Sequence, residues 1–129
     1  MLIYAFDTRL LYSLTILKVL NIKSIDFNES TSQIILKTSS NKEIAIPVDK
    51  AVQMLIYYVG YFKSFRYISF YDVLMKFTPE GYFKNKIVLI GSSLPGLFDL
   101  CSTPLQGSFP GVEVNANILY QILKDPQDI

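Results

Sequence analysis

Lys86-Ile87-Val88-Leu89-Ile90-Gly91 is the stretch on which the fold turns. Five residues without an apolar/polar alternation, closed by a glycine, read as a strand covered on both faces, and such a strand belongs inside a sheet. A Gly/Pro/Ser-rich connection follows, with Pro95-Gly96, Asp99, Thr103-Pro104 and Pro110-Gly111. It delivers the chain to a helical stretch, Val112 to Leu123. Strand, long loop and helix in this order make an α/β arrangement, in which ligands favour the loop leaving the strand's C-terminal end.

On the last helix Val112, Ala116, Leu119 and Leu123 form one stripe at about 100° per residue, widened by Val114, Ile118 and Ile122. Glu113, Asn117, Tyr120, Gln121 and Lys124 share the opposite face. Asn115 falls inside the apolar arc. A buried amide left unpaired costs about 1–3 kcal/mol, so Asn115 needs partners. It either ties the helix to the loop that starts at Gly91 or points into a small-molecule pocket.

The remaining chain supplies the frame. Ile3, Phe6, Leu10, Leu14 and Leu17 recur at helical spacing, which predicts an amphipathic helix over residues 3 to 20 packed on a sheet face. Residues 21 to 32 are polar and read as irregular. Gln33 to Thr38 and Glu43 to Val48 read as a hairpin turned by Ser39-Ser40-Asn41. Pro47 cannot donate to a ladder and marks a strand end or a sheet edge, and Asp49 after it caps or turns. Met54 to Val59 reads as a third strand ending at Gly60. Ser69-Phe70-Tyr71-Asp72 is a variant capping box opening a short helix to about Phe77, broken by Thr78-Pro79-Glu80-Gly81. The expected fold is α/β: a single mixed sheet flanked by helices, with a long loop between the central strand and the last helix, in one domain over residues 1–129.

Composition excludes several functions. Twelve basic and eleven acidic residues give a net charge of +1, and no basic block marks a nucleic-acid footprint. The chain has no histidine, which removes Ser-His-Asp and Cys-His catalysis and the usual zinc sites. No carboxylate cluster suggests a hard cation, so neither metal nor cofactor is expected. Cys101 is the only cysteine, so no intrachain disulfide forms. No apolar run reaches the roughly 18 to 20 residues of a membrane span, and the opening twenty residues lack a signal peptide's basic start and cleavage site.

Gly91-Ser92-Ser93-Leu94-Pro95-Gly96 follows a strand as a phosphate loop would, but Leu97 and Phe98 stand where Lys and Ser/Thr are required. Ser92 or Ser93 as a nucleophile lacks a histidine, and no Ser-x-x-Lys stands here; their hydroxyls fit loop backbone or a polar ligand better. Asp99 in the loop and Glu113 in the helix's first turn are either an acid/base pair or structural, Glu113 favouring the helix dipole. The candidate ligand-binding residues are Ser92, Ser93, Asp99, Glu113, Asn115 and Asn117, none of them catalytic.

From Tyr58 to Leu123 the chain resembles the type-2 CHASE family, the extracellular sensing domains associated with cyclases and histidine kinases. The elements carrying the resemblance are Tyr58 and Gly60, Ser64-Phe65, Ile68-Ser69, Asp72-Val73-Leu74, Lys86 through Gly91, Asp99, Thr103-Pro104, Pro110-Gly111-Val112-Glu113 and Ala116-Asn117. Ile46-Pro47-Val48-Asp49 is similar to the family's Ile-Pro-Leu-Asp step, so the likeness is strongest over 46–123. Departures are Asn115 where the family often has His, Tyr57 and Val59 where Asn and Arg are common, Tyr61 where Pro is common, and Ser92-Ser93 in place of smaller residues. The family's N-terminal half has no counterpart here, which marks the chain as a truncated or shortened member and leaves any site shared between the halves incomplete.

The resemblance implies an extracytoplasmic, periplasmic or extracellular, sensory module of a bacterial membrane receptor. Membrane segments would flank it outside this chain, and it would relay an unidentified small-molecule signal to an adenylate or diguanylate cyclase or a histidine kinase. The alternative is a structural or homodimerisation module without ligand.

Overall fold

The computed structural model describes residues 21–91 and 100–124. The amphipathic helix expected over residues 3 to 20, and Ser92, Ser93 and Asp99, lie outside the described residues. The chain divides into two compact units, one with residues 21–57 and 119–124, the other with 58–91 and 100–118 among those described.

In the first unit three strands, β1 (Ile22–Asn28), β2 (Gln33–Thr38) and β3 (Glu43–Pro47), form an antiparallel sheet in that order. The β2–β3 hairpin is the one the sequence predicts, with Ile34 opposite Ile46 and Leu36 opposite Ile44. Asn41 turns it in the left-handed region at φ 61°, where asparagine is tolerated. Pro47 ends β3, an edge strand, as its missing N–H requires. Asp49 turns the chain beyond it: its Oδ1 accepts the N–H of Ala51 at 2.9 Å and of Gln53 at 2.8 Å.

β1 corrects the reading of residues 21 to 32 as irregular. It pairs with β2 from Asn28 opposite Gln33 to Ile22 opposite Thr38, with a shift in register between Ile22 and Ser24. Asn28 builds the connection, its Oδ1 accepting the N–H of Ser30 at 3.1 Å and of Thr31 at 3.3 Å. Lys37, in the middle strand, lies 3.7 Å from the Asp26 carboxylate on one side and 3.5 Å from that of Glu43 on the other. Such exposed cross-strand pairs contribute about 0.2–1 kcal/mol each.

In the second unit α1 (Phe70–Leu74) starts where the capping pattern places it. Ser69 is its N-cap, the hydroxyl accepting the N–H of Tyr71 at 3.2 Å. The helix stops short of the expected Phe77. β4 (Leu100–Cys101) pairs antiparallel with β5 (Phe109–Pro110), and β5 runs directly into α2 (Gly111–Leu123), the expected last helix. Phe109 is fully buried and meets the Tyr58 ring edge-on, centroids 5.4 Å apart.

The fold is α/β, as the sequence predicts; among the described residues the strands form two antiparallel sheets, of three and two strands, where the sequence reading expects a single mixed one. Neither 54–59 nor 86–90 enters a ladder among the described residues. Ile87, Val88 and Ile90 remain 47%, 48% and 46% exposed, so the run read as a covered central strand is half open. Gly91 closes it for a steric reason. A Cβ there would collide with the Val112 Cβ and come within 2.8 and 2.9 Å of its two methyl carbons, so only glycine lets this backbone approach α2.

Candidate functional site

Among the described residues the segment 58–64 is held by side chains and not by a neighbouring strand. The Val59 N–H donates to Asn117 Oδ1 at 2.9 Å, and the Phe62 N–H to Gln106 Oε1 at 3.1 Å. The Lys63 and Ser64 N–H groups donate to the two carboxylate oxygens of Glu113 at 3.1 and 3.0 Å. Lys63 adopts φ 72°, and this left-handed residue sets two successive N–H groups around one anion, the geometry of a backbone nest.

The stripe on α2 responsible for this is Glu113, Asn117 and, in the first unit, Gln121. Gln121 accepts the Tyr57 N–H at 3.1 Å and donates to the Leu55 carbonyl at 3.0 Å. The spacing is a matter of geometry: four helical residues rise about 6 Å, and two extended residues advance about 6.6 Å. Gln121 and Asn117, four apart, therefore meet Tyr57 and Val59, two apart, while Glu113 reaches past the next alternate residue to Lys63 and Ser64.

Within this stripe the Glu113 side chain carries the most hydrogen bonds. Besides the two N–H donors, Tyr67 Oη donates to its Oε2 at 2.6 Å, the short distance of a charge-assisted bond. Burial, and then this bond to the carboxylate and its charge, push the Tyr67 phenol well above its ordinary pKa of 10.0, so it stays protonated as a donor. Asn117 closes the network, its Nδ2 donating to the Glu113 carbonyl at 2.7 Å.

Glu113 and Asn117, two of the predicted site residues, are thus brought together, each 1% exposed. The face opposite the apolar stripe, on which the sequence reading puts both, is at these two positions buried against the 59–64 segment. The structure also corrects the identity of the buried amide. Asn115 is half-buried and donates at 3.0 Å to Gly111, the carbonyl one turn back in its own helix, rather than to the loop at Gly91. The sequence reading missed Tyr67, Gln106 and Gln121. The recurrence of polar residues at 113, 117 and 121 was the available signal.

Beside the network lies a cavity of about 670 Å³. Its wall runs from Phe65 through Phe70 and Val73 of α1, along residues 86–90, to Val112, Glu113 and Ala116 on the first turns of α2. Glu113 contributes to this wall while its carboxylate is occupied by the Lys63, Ser64 and Tyr67 donors.

The family model of the CHASE2 domain matches residues 1–129, the whole chain. The chain is a CHASE2 domain. CHASE2 domains are an extracellular sensory family of signalling receptors rather than a catalytic one. Comparison with curated proteins and with solved structures gives no match. Among the described residues no helix is long and apolar enough to cross a membrane, and no group of three or more Cys, Asp or Glu could hold a metal ion.

Proposed function

We propose that this CHASE2 domain is the extracytoplasmic input module of a bacterial membrane receptor whose output is an adenylate or diguanylate cyclase or a histidine kinase. It binds a small-molecule signal, performs no chemistry of its own, and relays the bound state through flanking membrane segments that lie outside this chain. Its candidate ligand-binding residues are Ser92, Ser93, Asp99, Glu113, Asn115 and Asn117, of which Glu113 lines the cavity. The observation that carries the reading is the cavity against the first turns of the last helix, in a chain matched throughout by a sensory family. A ligand preferring one arrangement of that wall shifts the population of receptor states.

The test is the coding sequence on either side of this chain, followed by output assays on the receptor it encodes. Membrane segments flanking the domain, with a cyclase or kinase domain beyond, are the expected result. Absence of both overturns the reading.

A second reading, a homodimerisation module without ligand, is favoured by the exposure of Ile87, Val88 and Ile90. Light scattering over a range of concentrations decides it: a mass that stays monomeric throughout rules it out.

A further inference from the structure

The cavity has a sided chemistry that the sensory role does not by itself require. Its wall is apolar, formed by Phe65, Ile68, Val73, Phe83, Leu89 and Ala116, and its volume of about 670 Å³ is that of a small-ligand pocket. Two cations, Arg66 and Lys86, also line it, and both side chains are exposed. They converge on one aromatic residue. Arg66 Nη1 donates to Tyr82 Oη at 3.0 Å, and Lys86 Nζ sits 4.0 Å from the centroid of the Tyr82 ring.

Neither cation has a carboxylate partner among the described residues. The contrast is Lys37, which lies between Asp26 and Glu43. Arg66 has five N–H donors and Lys86 three. A ring face engages the Lys86 charge without accepting its hydrogen bonds in the ordinary way, and the Tyr82 hydroxyl takes one donor of Arg66. The one carboxylate on the wall, Glu113, faces the Lys63 and Ser64 amides and the Tyr67 hydroxyl. The cavity therefore offers an apolar body site and a cationic mouth, with Tyr82 orienting both charges.

We propose that this cavity binds a small amphipathic carboxylate, an aromatic or short aliphatic acid, with its carbon skeleton against the apolar wall and its carboxylate between Arg66 and Lys86. A compact polar anion would lose its hydration against the apolar wall without compensation. A neutral hydrocarbon would leave both cations without an anion. An acid with an apolar tail meets both demands, and the guanidinium fork matches a carboxylate in geometry. The proposal names a ligand class for the sensory role and rests on that reading for its consequence, while the binding itself rests on the cavity.

The test uses three probes with one skeleton, hydrocinnamate, hydrocinnamyl alcohol and phenylpropylamine, titrated calorimetrically into the 129-residue chain. Hydrocinnamate should bind about tenfold more tightly than the alcohol, and the amine should bind more weakly than either. In the double variant Arg66→Gln/Lys86→Gln, whose exposed positions leave folding intact, the acid should fall to the affinity of the alcohol while the alcohol is unchanged. Equal affinities of acid and alcohol in the wild type, an acid preference that survives the double substitution, or no binding of any probe overturns the proposal.

Output assays on the intact receptor separate the two readings. Binding with the expected pattern but no change in output sinks the relay and leaves the site. An output response to hydrocinnamate that is the same in the double variant sinks the site and leaves the relay.

Discussion

Asn117 binds Val59 as a neighbouring strand would: its Oδ1 accepts the Val59 N–H at 2.9 Å while its Nδ2 donates to the Glu113 carbonyl at 2.7 Å. One side chain 1% exposed thus satisfies an N–H of an extended segment that enters no ladder among the described residues. In Asn117→Ala the Val59 N–H loses its partner, and an unsatisfied part-buried donor costs about 1–3 kcal/mol. Urea denaturation should show a loss of about 2 kcal/mol. Asn115→Ala is the control. Its amide repeats a bond to a carbonyl within its own helix, and alanine is the better helix former, so the change should stay within about 0.5 kcal/mol. Equal losses at the two positions would contradict the assignment.

The Glu113 carboxylate predicts a protection pattern in amide exchange. In the wild type the Lys63 and Ser64 amides are bonded to it and should exchange slowly. Glu113→Gln keeps one acceptor oxygen and removes the charge, so one of the two amides should be released, with a stability loss of about 1.5–3 kcal/mol for bonds to a charged group. Protection of both amides at wild-type levels would refute the shared carboxylate.

Tyr67 gives the network a pH dependence. Its phenol is held protonated above the ordinary value of 10.0 in the native state, whereas in the unfolded chain it ionises near that value. Between the two the unfolded state binds fewer protons, so stability falls as pH rises. The contribution is complete below pH about 10 and declines above it. Tyr67→Phe should lower stability at neutral pH, by about 1.5–3 kcal/mol for the lost bond to the carboxylate, and make the decline between pH about 10 and 12 shallower. Denaturation midpoints across that range measure both.

Gly91 and Val112 predict a double-mutant signature. Gly91→Ala forces a Cβ against Val112, and overpacking of this kind costs typically 1–3 kcal/mol, and sometimes more. Val112→Ala clears the two methyl contacts but leaves the Cβ in place. The pair should therefore couple favourably, yet the Gly91→Ala defect should be only partly relieved. Full rescue would mean that the methyl groups, and not the Cβ, set the limit.

Val52 stands at φ 59° with its side chain 52% exposed. A β-branched residue is out of place in the left-handed region, and little burial is lost when it is replaced. Val52→Gly should stabilise the chain by about 0.5–1 kcal/mol in thermal or urea unfolding.

Much of the frame was legible because its signals are local. Asn41, Pro47, Asp49 and Ser69 act through their own backbone or a neighbour's within a few residues, and the helix up to Leu123 announces itself by period. β1 was missed although Ile25 and Phe27 alternate with Ser24, Asp26 and Asn28: the alternation is only two apolar residues long inside a polar stretch, both stay exposed, and the strand state comes from the pairing with β2. The run Lys86 to Ile90 misled for the converse reason. Composition reports what a residue prefers, not whether a partner strand is present. At the site, Glu113 and Asn117 have the polarity of a solvated face, and a helical period cannot tell water from a backbone that needs donors and acceptors.

The stripe on α2 also gives the 59–64 segment a single seat. Glu113 and Asn117 hold it through side chains, the carboxylate taking the Lys63 and Ser64 N–H groups and the amide taking that of Val59. The backbone groups of a ladder are alike from one residue pair to the next, so a ladder can re-form after a shift of register. Here a shift would bring an amide to the place of a carboxylate, so the order of two unlike side chains along the helix fixes the register of the segment.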